Sequence, residues 1–355
     1  MAVLKADGIA DLVLGTLNDL KRLSFTQIAQ ELQEYVGMNV LLKKDRILLD
    51  GGVGIRRTLM TRYANVARMV GLWEASGASA TDHLADLTVP WVHAQTQWPF
   101  ERRELLMNSG KSLIQRVVEP RRIGAMLSLA DTLENQVWGA PTVAQTKNAY
   151  GLPWWLTASA TTGFNGGLPT DHTTVAGINI TTHPNFKPYT AQYTAVTKAD
   201  LISKMRNGAR EIKFMSPVSS KDVTSGFGSR YRIYLNNDTL NSFETQAEQQ
   251  NDQLGSDVAA KDGITTFHKL PLIWVPKLNE FDGTTITAST TTPTNPVYMV
   301  DMASFFTYVL KGDYLHETVR MSPTQHNVTE TFTDLSFNFL CIDRRRNAVF
   351  ATAVA

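Results

Sequence analysis

A single cysteine, Cys341, serves all 355 residues. One thiol excludes an intrachain disulfide framework and a multi-cysteine metal site. Charge is scarce as well: Asp, Glu, Lys and Arg make up 19% of the chain, and the formal net charge is +1. A chain this close to neutral is no polyelectrolyte. That argues against tight sequence-independent DNA binding by the bulk protein and favours association. No apolar run reaches the roughly 18 residues a membrane span needs, so no membrane partner is expected. Asp7, Asp11 and Asp19 interrupt the opening residues, which removes the apolar stretch of a signal peptide. Asn179, Asn237 and Asn327 each start a glycosylation pattern, but without a secretory route these are chance matches in a Thr- and Asn-rich chain.

Catalytic motifs are missing too. Gly110-Lys-Ser112 ends like a phosphate-binding loop, but Leu105 stands where the first glycine of that loop belongs. Gly52-Val-Gly54 starts like a dinucleotide fingerprint, but Arg57 replaces its third glycine and the chain there reads as extended. His83, His93, His172, His183, His268, His316 and His326 form no i, i+4 pair. No G-x-S-x-G elbow is present. Cys341 alternates with apolar residues and reads as a small core residue. No catalytic, cofactor-binding or metal-binding residue is therefore assigned.

What the chain does have is a long aperiodic stretch, 139–195. It is rich in Gly, Pro, Thr and Asn, yet it carries Trp154, Trp155, Phe164, Phe186, Tyr189 and Tyr193. It shows neither helical nor strand period over most of its length. It is also too aromatic for a disordered linker. A loop of that size inside a compact domain usually signals function or a wrong assignment of elements. Aromatics that cannot all reach one core point to surfaces covered by other subunits.

Around it, the patterning predicts two leading amphipathic helices. Ile9, Leu12, Val13, Leu17 and Leu20 share a face of the first; Ile28, Leu32, Tyr35 and Val36 share a face of the second, which stops near Gly37. Extended arms are expected at 47–49, 55–62, 66–72 and 87–98, with Ala75–Thr81 as a hairpin tip that cannot stand alone in water. The strongest helix signal runs from 111 to 138, where Pro120 should kink or split it and Gly139 should end it. A capped helix is expected from Thr197 through Met205, and another carries Leu240, Phe243 and Ala247. Strands are expected at 211–215, 230–235, 270–275 and 297–301. Asp262-Gly263 and Asp282-Gly283 mark turns, and Thr284–Thr294 reads as an exposed loop. Phe305–Leu310 and Tyr314–Met321 look like a hairpin turning at Lys311-Gly-Asp313. Leu335, Phe337, Phe339 and Cys341 alternate with Ser336 and Asn338, and a last strand covers 348–353. Arg102-Arg103, Arg121-Arg122 and Arg344-Arg-Arg346 read as solvated turns or intersubunit ion pairs, with contact to nucleic acid as the alternative.

Several blocks, in order, resemble the tailed-phage major capsid proteins of the HK97-like fold. Thr88–Ala94 with Trp98–Asn108 resembles the descending arm of the family's E-loop. Residues 111–138, ending Ala130-Asp-Thr-Leu-Glu-Asn-Gln-Val-Trp-Gly139, resemble its spine helix. Gly151–Leu156, Gly163–Gly167 and Tyr189–Val196 are similar to the segment after the spine in one branch, and Phe339–Phe350 to that branch's closing strands. The resemblance implies an α+β fold with an N-terminal arm (1–50), an E-loop hairpin (51–108), a P-domain (109–210 with 322–355) and an A-domain (211–321). It implies a major capsid protein, not an enzyme, whose hexamers and pentamers tile an icosahedral shell around phage double-stranded DNA. The location would be the virion capsid, and the host cytoplasm during assembly. The partners implied are the protein itself, a portal protein and possible decoration proteins, with non-specific contact to the packaged DNA. The N-terminus does not resemble a long built-in scaffolding region, so a separate scaffold protein is expected. The subunit-interface residues expected are Trp73, Trp91, Trp98, Arg102 and Arg103 in the hairpin, and Trp154 and Trp155 after the spine. Two other readings compete: an encapsulin-like compartment shell, and a soluble enzyme whose site is assembled from distant loops.

Some members of the family crosslink an E-loop lysine to an asparagine of the next subunit. Here no lysine lies between Lys44 and Lys111. Assembled protein boiled in SDS should therefore run as the single chain; covalent ladders mapping to 51–108 would contradict the reading.

Overall fold

The computed structural model describes residues 35–38, 46–61, 67–73, 83–107, 111–214, 231–251, 265–280 and 295–352. Apart from one helical turn at 36–38, the two leading helices lie outside these residues. So do the Ala75–Thr81 tip, the turns at 262–263 and 282–283, and the Thr284–Thr294 loop.

The strands in chain order are β1 (Arg46–Leu49), β2 (Gly54–Met60), β3 (Leu84–Pro90), β4 (Val92–Glu101), β5 (Tyr189–Tyr193), β6 (Tyr231–Leu235), β7 (Thr266–Phe267), β8 (Leu270–Trp274), β9 (Val297–Asp301), β10 (Phe305–Met321), β11 (Val328–Cys341) and β12 (Ala348–Thr352). The helices are α1 (Arg102–Met107), α2 (Lys111–Val137), α3 (Leu152–Trp155), α4 (Leu201–Glu211), α5 (Asn237–Asn251) and α6 (Pro276–Glu280). Among the described residues, β1-β10-β11-β4 form one sheet, β5-β12-β9-β6-β8-β7 a second, and β2-β3 a separate hairpin.

The six-stranded sheet is covered on both faces. Ile233, Leu235, Val297, Met299 and Phe350 face a cluster shared with Leu201 and Met205 of α4 and Phe243 of α5. Tyr234, Tyr298, Val300, Val349 and Ala351, one position out of phase, join the other cluster. This is the period of two that a strand imposes. Within this sheet β12 pairs parallel with β5 and antiparallel with β9, and β9 in turn pairs with β6.

α2 is one element through Pro120, not two. It lies beside β4, where Thr96 Oγ1 donates to the Ala125 carbonyl, and packing of this kind outweighs a missing backbone bond. The end of α2 is open in one respect. Gly151 packs against the carbonyls of Gln136, Val137 and Gly139, and a Cβ there would lie 2.3–2.6 Å from their oxygens. A residue larger than glycine would not fit.

Two strand expectations change. Residues 211–213 end α4 and turn, so no strand forms there. Residues 305–321 form one long strand, not a hairpin. β10 passes through Gly312 (φ +91) and pairs with β11 on both sides of it. Its register shifts between Val309 and Tyr314 and again before His316, so the Lys311-Gly-Asp313 signal marks a bulge in an extended ribbon. The predicted alternation along β11 is present, yet both of its faces are buried. Leu335, Phe337, Phe339 and Cys341 enter the core. Ser336 and Asn338 are equally enclosed and spend their polar groups on His93 Nδ1, the Tyr150 amide and the Pro90 carbonyl. Burial pushes the Cys341 thiol well above its ordinary range, which suits a packing role.

The aromatic stretch also departs from expectation. Trp154, Trp155, Phe186, Tyr189 and Tyr193 are all buried within the subunit itself. What makes this possible is Arg344, read above as part of a solvated basic turn and found fully buried. Its Nε donates to the Trp155 carbonyl (2.6 Å), Nη1 to that of Phe186 (3.3 Å), and Nη2 to Thr157 Oγ1 (3.1 Å) and the Gly167 carbonyl (3.2 Å). Burial draws its pKa down to about 10, which still leaves it charged at neutral pH. Arg344→Ala removes these donors and leaves buried carbonyls bare. It should lower the unfolding free energy by on the order of 3 kcal/mol or more, measured by urea denaturation. Unchanged stability would contradict the role assigned to this side chain.

Candidate assembly surface

The hairpin was expected to lack support from its own chain. The structure corrects this for the β2-β3 ladder as far as Thr61. Ile55, Leu87 and Val89 are buried in the main cluster with Val175, Ala176 and Ile178. The Thr88 amide donates to the Ala176 carbonyl. Thr61 Oγ1 lies 2.7 Å from His183 Nδ1, and Asn185 Nδ2 donates to the Thr61 carbonyl. The aromatic stretch thus carries the hairpin on its surface.

The far end is different. Met60 and Leu84 pair across the last rung of β2 and β3, both exposed. Beyond them Met69, Leu72 and Trp73 are 99%, 95% and 102% exposed. Each such side chain gains on the order of 2 kcal/mol when buried. Sequence reasoning selected Trp73 and missed Met69 and Leu72. The available signal was the stretch 66–72, expected to be an extended arm, whereas its described part forms no strand.

The other expected interface residues separate into groups. Trp91 is half-buried where the chain passes from β3 to β4, and its Nε1 donates to the Gly52 carbonyl (2.9 Å). Trp98 is half-buried and stacks on Phe100. The two rings line a cleft of about 460 Å³ with Glu104, Arg121 and Val328. Arg121 holds Glu104 at 2.7 Å, and Arg122 holds Glu317 at 2.6 Å, so both arginines have partners within the subunit. Arg102 and Arg103 lie exposed at the start of α1. Trp73 and the Trp98–Arg103 group lie on separate parts of the chain, Trp73 between β2 and β3 and the other residues in β4 and α1. Trp154 and Trp155 belong to neither. They are 1% and 0% exposed, with their indole N–H groups donating to His172 Nε2 and the Tyr150 carbonyl, so they have no surface to offer a neighbour. Of the closing arginines, Arg345 binds Asn185 and covers Phe164, and Arg346 lies 3.4 Å from Asp301.

Neither a protein-family profile nor a curated protein sequence matches the chain. Solved structures do. The cyanophage A-1(L) capsid asymmetric unit aligns over 95% of this chain and 98% of its own, with a TM-score of 0.59 at 16% identity. The capsid of a native GTA particle aligns over 100% and 99%, with a TM-score of 0.53 at 9% identity. The mature capsid of bacteriophage PhiM1 aligns over 94% and 90%, with a TM-score of 0.53 at 11% identity. Identity this low speaks to fold, and here it speaks over nearly the full length of both partners. The chain has the α+β fold of bacteriophage capsid proteins.

Proposed function

We propose that the chain is a major capsid protein, many copies of which assemble as hexamers and pentamers into an icosahedral shell around phage double-stranded DNA. The observation that carries this reading is the apolar end of the hairpin. Met69, Leu72 and Trp73 are open on a subunit whose other large aromatics are mostly enclosed. A subunit that docks this end on a neighbour, and offers its own surface to the next, makes a head-to-tail contact that closes into rings. Summed over a shell, modest contacts of this kind become effectively permanent.

In the HK97-like terms introduced above, residues 51–108 are the E-loop. The pairing observed supports moving the other boundaries. The P-domain takes α2 with the β1-β10-β11-β4 sheet, and the A-domain takes the six-stranded sheet, including β5 and β12. Trp73, Trp98, Arg102 and Arg103 remain the interface residues proposed, with Met69 and Leu72 added; Trp91 lies between the two groups in sequence. A portal protein, a separate scaffold and possible decoration proteins are the partners proposed beside the protein itself, with the virion as its location and the host cytoplasm as the place of assembly. A formal net charge of +1 suits a container into which DNA is driven, since counterion release would contribute little.

Negative-stain microscopy of purified protein should show closed shells or capsomer rings. The double variant Leu72→Ser, Trp73→Ser should keep the near-ultraviolet dichroism of the folded subunit and sediment as a small species. A wild-type monomer that persists at high concentration would overturn the reading. Normal shells from the double variant would overturn the role of the hairpin end.

A further inference from the structure

The last turns of α2 carry a carboxylate that the shell reading does not use. Glu134 is 1% exposed. Its Oε2 accepts the Met38 amide at 2.7 Å. Its Oε1 accepts the Gly37 amide at 2.9 Å and the Trp138 indole N–H at 2.8 Å. Three donors therefore converge on one buried side chain, two of them consecutive backbone amides almost a hundred residues away in sequence. The fit is close on the other side as well. A Cβ on Gly37 would lie 2.6 Å from Val137 Cγ1, so the segment reaches Glu134 only because residue 37 has no side chain. One helical turn earlier, Asp131 holds the buried Lys277 of α6 at 3.0 Å, and Lys277 also pairs with Glu280.

We propose that Glu134 is the positioning residue that seats the chain ahead of β1 on its own subunit, at a docking point formed by its carboxylate and the bare backbone of Gly37. The same stretch of α2 grips α6 through Asp131, so the exit of the leading segment and the placement of the six-stranded lobe are referred to one stretch of helix. The inference concerns the folded subunit and stands whether or not the chain builds a shell. An isolated buried carboxylate is costly, and burial pushes the Glu134 pKa up against the pull of its hydrogen bonds and of Lys277. A side chain kept at that cost, with both carboxylate oxygens accepting amides of one segment, has a task beyond filling space.

Amide exchange resolved to single residues on the full chain tests this. Glu134→Ala should speed exchange at both Gly37 and Met38 by about tenfold or more, while the amides of Phe337 and Phe339 in β11 stay as they were. Glu134→Gln has nearly the same volume and one acceptor. That oxygen stays where it serves Gly37 and Trp138 together, and the amide nitrogen turns toward Met38. Exchange should then rise at Met38 alone. If Glu134→Ala loosens the whole fold, the Gln variant decides. A rise confined to Met38 supports the seat. Unchanged exchange at Met38, or an equal rise in β11, overturns it.

Discussion

A long aperiodic segment can enter a protein interior only if its backbone carbonyls find donors. Arg344 meets that constraint here. One guanidinium reaches three carbonyls and a hydroxyl spread over residues 155–186, and its planar face covers Phe186. Arginine suits the task because its donors sit in a rigid fork and its charge is weakly hydrated for a cation. With those carbonyls satisfied, Trp154, Trp155 and Phe186 can be core residues. With the core closed, residues 175–185 become the platform on which the β2-β3 hairpin rests.

The C-terminal end of α2 is the second point of convergence. Gly151 closes on its last carbonyls, Glu134 takes the backbone ahead of β1, Trp138 meets Tyr234 of the six-stranded sheet edge-on, and Asp131 reaches Lys277. Four chain segments, three of them distant in sequence, are thus fixed against one stretch of helix. Such a junction is rigid because its contacts are short, mostly buried and of different kinds; no single sliding motion satisfies them all.

The contrast between body and hairpin end is what points toward assembly. Most of the body's large aromatics are enclosed, Trp274 being an exception, and their polar atoms are mostly partnered. The hairpin end presents Met69, Leu72 and Trp73 to water. The proposed assembly role rests on that contrast.

The sequence alone determined the elements with strong local periods. These are the helix over 111–137, the strands at 47–49, 55–60, 231–235, 270–274 and 297–301, and the alternation of Leu335, Phe337, Phe339 and Cys341. It also carried the resemblance to capsid proteins, because block order survives where single residues do not. Local patterns reach no further than the residues that share an element. Whether Lys311-Gly-Asp313 turns or bulges depends on β11 lying alongside. Whether Arg344 is solvated or buried depends on carbonyls from a segment more than 150 residues earlier. Whether Trp154 and Trp155 face a neighbour or the core depends on Tyr150 and His172 closing over them. The tertiary structure decided these, because hydrogen-bond partners and cover from water are supplied by residues that only folding brings near.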